Sequence, residues 1–310
     1  MEKNGDLIVR TEHLTKCFGK LVAVDDLNLE VRKGEVFGFL GPNGSGKSTT
    51  MGMMLGLIAP TSGTVELFGL NIQNSLPKIL QRIGAVTESI GFYPYLSGRD
   101  NLEYIARITG GISNSRIKEV LELVELSGRE KDKFSNYSLG MKQRLAIACA
   151  LLNGPEFVVL DEPTNGLDPA GMKEIRELII RLGQEGKTIF LNSHLLHEVE
   201  QVCRRVAIIK QGKVITQGLV KDLMKKGDTL QIKVNEPEKA MTVLKNINWI
   251  TSIVREDDKL LIGVKAEKYA EISAVLAKES IFVTEMRAKE NTLEEFFLEM
   301  TEERINDLDD

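Results

Sequence analysis

The sequence predicts an α/β fold with a mainly parallel sheet, followed by a small C-terminal α+β domain. Two observations predict the first part. Short continuous apolar runs alternate with stretches of helical periodicity, and one such run leads into a glycine-rich turn. Strands buried on both faces are typical of parallel sheets that helices cover. A third observation, the change of pattern after about residue 226, predicts the second domain.

The first 226 residues contain patterns of both kinds. Strands are predicted at Leu7–Glu12, Val22–Val31, Val36–Leu40, Phe157–Leu160 and Thr188–Leu191. Apolar residues spaced by three or four predict helices at Ser48–Leu57, Asn101–Ile108, Ile117–Leu126 and Met141–Leu152. The last three helices fall in a helical subdomain at about 88–156. A hairpin is predicted around Gln211–Gly212.

Residues 227–310 predict strands and helices in the order β-α-β-β-α-β, which is the order of a ferredoxin-like unit. A final helix, Thr292–Met300, carries apolar residues at positions i, i+3, i+4 and i+7 among acidic ones. We expect this apolar stripe to pack on the domain. Only residues 301–310 then remain as an acidic tail.

Composition excludes several classes of protein. The 310 residues carry a net charge of −5, from 40 basic and 45 acidic residues, and the acidic excess is concentrated after residue 291. This balance disfavours a generally basic nucleic-acid binder, and we expect no nucleic-acid partner. The sequence predicts neither a signal peptide nor a membrane span. Three cysteines without paired spacing indicate a reducing compartment.

The glycine-rich segment fits the pattern G-x-x-x-x-G-K-[S/T], with a buried strand before it and a helix after it. Glycines let successive backbone N–H groups point at phosphate oxygens, and the positive end of the helix adds to that field. The lysine neutralises β- and γ-phosphates, and the hydroxyl after it can bind Mg²⁺. We therefore expect ATP to be held by Gly41, Pro42, Asn43, Gly44, Ser45, Gly46, Lys47, Ser48 and Thr49.

An acidic pair, Asp161 and Glu162, follows the apolar run at Phe157–Leu160. Alone, two carboxylates at a strand end are typical of a solvated surface. With a phosphate cradle upstream, the catalytic interpretation is favoured. Asp161 is suited to hold Mg²⁺, and Glu162 is suited to act as the general base that polarises the attacking water.

Between these motifs lies Tyr137–Arg144, reading Y-S-L-G-M-K-Q-R. Here the chain resembles the ATP-binding subunits of ATP-binding-cassette (ABC) transporters, over roughly residues 7–220. The resemblance implies a P-loop NTPase cassette that hydrolyses ATP with Mg²⁺. In that family the loop matched by Ser138 and Gly140 reaches across a dimer to the partner's γ-phosphate. Leu139 stands where the family has glycine.

The resemblance implies roles for four more residues. Phe18 matches an aromatic residue that stacks on adenine. Asp168 matches the loop that couples the two ATP sites, and His194 matches the histidine that contacts the γ-phosphate. Glu88 stands where the family usually has a glutamine that touches Mg²⁺, and a carboxylate can still bind the metal.

With glutamate at position 88, the chain resembles the branch of the family that exports bacitracin and lantibiotic-type peptides. The resemblance therefore implies an exporter subunit at the cytoplasmic side of the membrane, acting as a homodimer or heterodimer with a separate membrane-spanning permease. Phe92–Tyr95 is the candidate docking surface for that permease. An exporter of another drug, lipid or polysaccharide is the alternative.

Two other classes of function are disfavoured. A soluble cassette ATPase that remodels nucleic acid or ribosomes usually carries two cassettes or a coiled-coil insertion, and this chain has one cassette and no heptad run. A non-catalytic nucleotide-gated scaffold would not need the intact pair of Asp161 and Glu162.

Overall fold

A computed structural model describes residues 7–87, 91–224, 229–289 and 292–298. The chain forms two compact units, the first ending at Val220 and the second beginning at Lys221. The sequence-based boundary, residue 226, lies a few residues later. Within the described ranges, no helix combines the length and apolar composition needed to cross a bilayer.

The first unit contains ten described strands in two sheets. They are β1 (Leu7–Phe18), β2 (Leu21–Arg32), β3 (Val36–Leu40), β4 (Ser62–Leu67), β5 (Leu70–Asn71), β6 (Ile83–Val86), β7 (Phe157–Asp161), β8 (Thr188–Ser193), β9 (Arg205–Lys210) and β10 (Lys213–Leu219). An antiparallel sheet has the order β2-β1-β4-β5, and a six-stranded sheet has the order β10-β9-β3-β8-β7-β6. In the larger sheet every pair is parallel except the predicted hairpin of β9 and β10. The predicted α/β fold is confirmed.

Eight helices accompany these strands in the described residues. They are α1 (Lys47–Met54), α2 (Ile72–Leu80), α3 (Gly98–Thr109), α4 (Asn114–Leu123), α5 (Leu139–Leu151), α6 (Pro169–Gln184), α7 (Leu196–Val202) and α8 (Val220–Leu223). Helices α3, α4 and α5 lie within the predicted helical subdomain, and each begins two or three residues before its apolar periodicity does. The reason is capping, because Ser97, Ser113 and Ser138 each accept a hydrogen bond from a backbone N–H in the first turn.

Strand β3, which leads into the glycine-rich turn, is held in place by packing in the hydrophobic core. Every residue of β3 is buried, and its Phe37 and Phe39 lie 5.8 and 5.4 Å, centroid to centroid, from Phe190 on β8. Met53 and Met54 on α1 are fully buried in the same cluster, which also includes strands of the antiparallel sheet. The turn between β3 and α1 is therefore held at both ends by close packing.

In its described residues the second unit has one antiparallel sheet and two helices that pack on it, besides residues 221–223 of α8 and a helical segment at 293–298. Its elements are β11 (Thr229–Val234), α9 (Pro237–Lys245), β12 (Ser252–Glu256), β13 (Lys259–Gly263), α10 (Tyr269–Lys278) and β14 (Val283–Ala288), and the sheet order is β12-β13-β11-β14. Both helices bury apolar residues in one cluster with β11 and β13. Residues 293–298 are helical, and Thr292 and Glu295 cap this segment reciprocally. Residues 299–310, including the predicted acidic tail, lie outside the described residues.

Candidate functional site

The glycine-rich turn lies where β3 ends and α1 begins. The carboxyl ends of β3, β7 and β8 meet at one edge of the parallel sheet, which is where α/β proteins commonly bind ligands. Gly46, immediately before α1, has φ +106°, and a Cβ there would lie 2.4 Å from the carbonyl oxygen of Ala23. Only glycine tolerates both the positive φ and the lack of room for a Cβ, which explains why the motif has its second glycine at this position.

Lys47 is buried against its own loop. Its Nζ donates to the carbonyl oxygens of Gly41 (2.7 Å) and Pro42 (3.1 Å). Burial lowers the pKa of Lys47, and the nearby carboxylates of Glu162 and Asp161 raise it in part. The hydroxyl of Ser45 is also buried, without a hydrogen-bond partner among the described residues. A phosphate group fits this set, because it would supply acceptors for buried donors.

The acidic pair of Asp161 and Glu162 lies at the carboxyl end of β7, close enough to Lys47 for both charges to act on it. Asp161 is the last residue of β7, and its carboxylate accepts a hydrogen bond from the side-chain amide of Asn192 on β8. Glu162 follows with φ +46°, a conformation that non-glycine residues seldom adopt. Its backbone N–H donates to the carbonyl of Asn192 at 2.9 Å. This bond holds the strained backbone against β8.

His194 lies directly beside Glu162. Nδ1 of His194 is 2.9 Å from Oε2 of Glu162, and the hydroxyl of Ser193 donates to the same oxygen at 3.4 Å. That hydroxyl also accepts from the N–H of Leu195 at 3.0 Å. The end of β8 thus orients the Glu162 carboxylate from two neighbouring residues, and the histidine predicted from its order in the sequence is brought to the acidic pair.

A cavity of about 560 Å³ contains most of the predicted site. Phe18, Asn43, Gly44, Gly46, Lys47, Ser48, Thr49, Asp161, Glu162 and His194 line it. Phe18 is 49% exposed, and the Nζ of Lys16 lies over its ring, 4.9 Å from the centroid. Ser48 and Asp161 supply the oxygen donors that Mg²⁺ prefers. The cavity therefore combines an aromatic surface, a phosphate cradle and oxygen donors.

Seven further residues line the cavity and were not singled out from the sequence. They are Leu21, Val22, Ala23, Asn165, Asn192, Gln211 and Gly212. Asn192 had one usable signal, since it is a polar residue at the end of an apolar strand two positions before His194. Gln211 and Gly212 were predicted only as a hairpin turn, and nothing local in the sequence indicates that this turn reaches the site.

Six predicted residues in the described ranges do not line this cavity: Gly41, Pro42 and Ser45, which belong to the glycine-rich turn itself, and Ser138, Gly140 and Asp168, which lie elsewhere. Ser138 caps α5 and is exposed, and Gly140 follows it in the first turn and is half-buried. Asp168 caps α6 by accepting from the N–H of Gly171 at 2.9 Å. These residues stand at two helix starts, with Leu139 52% exposed between Ser138 and Gly140. Glu88 lies outside the described residues.

The predicted docking surface at Phe92–Tyr95 needs one correction. Phe92 is buried, and its ring lies 5.1 Å from the ring of Phe134. It is a core residue because the proline-bent loop packs it inward. The exposed aromatic surface instead contains Tyr95 and Tyr104, whose rings lie 5.7 and 5.1 Å from the ring of Tyr93.

Comparisons with known proteins agree with this geometry. The family model described as "ABC transporter" matches residues 24–165. Bacitracin transport ATP-binding protein BcrA of Enterococcus faecalis is 37% identical over 94% of this chain and 96% of its own length. Linearmycin resistance ATP-binding protein LnrL of Bacillus subtilis is 35% identical over 97% of this chain and 100% of its own length. Lantibiotic transport ATP-binding protein SrtF of Streptococcus pyogenes is 39% identical over 68% of this chain and 90% of its own length.

A solved structure gives the same result for the first unit. The dimeric structure of an ATP-binding cassette in a post-hydrolysis state, bound to ADP and Pi, has a TM-score of 0.61 and 30% sequence identity. The match covers 69% of this chain and 99% of that one. The likeness in fold and the near full-length likeness in sequence lead to one conclusion. The chain belongs to the ATP-binding proteins of ABC transporters, and it is a nucleotide-binding ATPase.

Proposed function

We propose that this ATPase is the nucleotide-binding subunit of a bacterial exporter and energises the efflux of a peptide antibiotic of the bacitracin or lantibiotic type. Such efflux serves resistance or self-immunity. The observation that carries the proposal is the match to a bacitracin transport protein over 94% of the chain, because it includes the C-terminal unit as well as the cassette.

The nucleotide would occupy the cavity described above. Phe18 stacks on the adenine, Lys47 and the backbone of the glycine-rich turn hold the phosphates, and His194 contacts the γ-phosphate. Ser48, Asp161 and Glu88 would hold Mg²⁺, which would neutralise charge on the phosphates. Glu162 accepts a proton from the attacking water. Its contacts with His194 and Ser193 support this role, because they fix the carboxylate at the cavity wall.

Hydrolysis would require two cassettes. The exposed starts of α5 and α6 carry Ser138, Gly140 and Asp168, which lie outside their own subunit's cavity. We place these residues at the partner's ATP, in a homodimer or a heterodimer with a related cassette. Two ATP molecules would then close the dimer, and the arrangement would be isologous in a homodimer.

The partner that spans the membrane would be a separate permease, and the cassette would lie at the cytoplasmic face of the membrane. The surface formed by Tyr93, Tyr95 and Tyr104 is the candidate docking site. Tyr95 is 66% and Tyr104 43% exposed, and the hydroxyl of Tyr93 donates to that of Tyr104 at 3.3 Å. Exposed tyrosines are enriched at protein interfaces because they combine an apolar ring with a polar end.

The double variant Tyr95→Ala and Tyr104→Ala tests this surface. We expect the isolated subunit to keep its ATPase activity within about twofold, because neither tyrosine lies in the nucleotide cavity. Co-purification with the permease should fall at least about tenfold, as is common when interface aromatics are removed. Leu57→Ala, at a 75% exposed apolar residue, is the control. Undiminished co-purification of the double variant would exclude this docking site.

The domain division is also part of the proposal. Residues 1–226 form the cassette, and residues 227–310 form a ferredoxin-like accessory domain. The alternation of strands and helices and the order β12-β13-β11-β14 support this assignment.

Antibiotic susceptibility tests the exported substrate. The chain should be expressed in a sensitive bacterium together with the membrane protein encoded beside it. We expect the pair to raise the inhibitory concentration of bacitracin or of a lantibiotic, and the Glu162→Gln variant of the pair to give no protection. Protection that persists without hydrolysis would contradict export as the cause.

A second candidate is an exporter of a different drug. The linearmycin resistance protein matches 97% of this chain, about as much as the bacitracin protein does. Lipid or polysaccharide export belongs to the same alternative class. A panel that includes linearmycin separates these substrates, because protection against it alone would replace the peptide proposal.

A further inference from the structure

The hairpin turn at Gln211–Gly212 joins two segments of the nucleotide site. The N–H of Gly212 donates to the carbonyl of Ser45 in the glycine-rich turn at 2.9 Å. The carbonyl of Gly212 accepts from the N–H of Asp25 on β2, also at 2.9 Å. Gly212 is far from both segments in the sequence, yet its N–H binds the phosphate cradle and its carbonyl binds β2.

The first of these bonds has a consequence for the direction of a neighbouring N–H group. A trans peptide is planar, and its C=O and N–H point in opposite directions. The carbonyl of Ser45 points toward the N–H of Gly212, so the N–H of Gly46 in the same peptide points away from the hairpin turn, at a residue that lines the cavity. An N–H at this position is what a phosphate oxygen requires.

Gly212 is closely packed at this point. Its φ is +80°, and a Cβ there would lie 3.0 Å from the carbonyl oxygen of Ala23 and 3.1 Å from the Cα of Val24. Both neighbours are backbone atoms of β2, which cannot move aside like the end of a side chain. A side chain at 212 would therefore push the turn away from β2 or away from Ser45.

We propose that Gly212 is a positioning residue for the phosphate cradle: its backbone holds the Ser45–Gly46 peptide so that the Gly46 N–H faces the nucleotide phosphates. The role is independent of what the exporter carries. It gives the β9–β10 hairpin a function in nucleotide binding, although the hairpin belongs to none of the motifs that identified the site. Gln211 lines the same cavity, but the geometry depends on the backbone of Gly212.

The test compares affinities for ADP and adenosine in the variant Gly212→Ala. Adenosine has the base and lacks the phosphates, so it does not use the cradle. We expect the dissociation constant of ADP to rise roughly tenfold or more, as for a lost hydrogen bond to a charged group, while that of adenosine changes less than about twofold. General loosening of the fold would weaken both ligands alike. An unchanged ratio of the two constants would overturn the proposal.

Two variants serve as controls. Gly186→Ala has the same type of strain, because φ is +84°, but a Cβ there meets no atom within 4 Å. It should lower thermal stability without changing the ratio of affinities. Gly154→Ala is a second control of the same kind, because φ is +62° and a Cβ there also meets no atom within 4 Å, so its ratio should stay within about threefold of the original value. A ratio shifted as far by either control as by Gly212→Ala would refute the assignment.

If Gly212→Ala does not fold, hydrogen exchange of the unaltered protein tests the same proposal. ADP should slow exchange at the Gly212 N–H, because an occupied cradle stabilises the Ser45 carbonyl that this group bonds. Adenosine should have no such effect. Equal exchange at Gly212 with and without ADP would contradict the proposal.

Discussion

Replacing Glu162 with glutamine is expected to slow ATP hydrolysis by roughly 10²–10⁴-fold while ATP remains bound. Glutamine has almost the same shape, and its amide can still meet the Ser193 hydroxyl and His194, which lie 3.4 and 2.9 Å from the carboxylate. It cannot accept a proton from water. Because binding remains and turnover stops, ATP-bound dimers should accumulate.

Single-turnover hydrolysis and size-exclusion chromatography with ATP measure these two effects. Glu177→Gln, at an exposed carboxylate on α6 that is paired with Lys173, provides the matched control and should behave as the unaltered protein. Hydrolysis by Glu162→Gln within a factor of about ten of the control would remove Glu162 as the general base, since general base catalysis accounts for more than that.

Replacing Lys47 with alanine is expected to weaken ATP binding by roughly ten- to a hundredfold, the effect of losing hydrogen bonds to a charged ligand. Lys47 is 6% exposed and donates to two backbone carbonyls of its own loop, and its ammonium group can exchange these acceptors for phosphate oxygens. The fold should be retained, because the buried methionines of α1 and the strand β3 hold the turn at both ends.

Equilibrium binding of a fluorescent ATP analogue, with thermal unfolding of the same samples, separates affinity from stability. Lys173→Ala removes an exposed lysine on α6 and should leave both quantities unchanged. If Lys47→Ala binds the analogue as tightly as this control does, the cradle does not depend on the lysine, and the interpretation of the motif fails.

Much of the cassette could be predicted because its signals are local. The apolar run at β3 and the pattern around Lys47 fix a strand, a turn and a helix within a few residues of one another. Strand β4 and helix α2 were missed for an equally local reason. The strand begins with the polar residues Ser62–Thr64, and the helix contains Pro77 and a non-helical residue at Ser75, so neither has the periodicity of its class.

The missed parts of the site depend on contacts between distant segments. The positive φ of Glu162 and the bond from Gly212 to Ser45 arise where separate strands meet. Phe92 was predicted as part of the docking surface, whereas Phe134, more than forty positions later, packs against its ring and helps to bury it. A single sequence contains the residues of such pairs but not the information that they touch.

Glu162 is the proposed catalytic base, and its positive φ lowers the stability of the fold. A left-handed conformation costs a non-glycine residue on the order of 1 kcal/mol, and glycine adopts it freely. Glycine at 162 would thus relieve strain and also remove one of two neighbouring negative charges, yet it would leave the enzyme without its proposed base. Directed evolution for heat resistance alone would be drawn toward an inactive protein here. Selection in which ATP turnover is required at every round avoids that outcome.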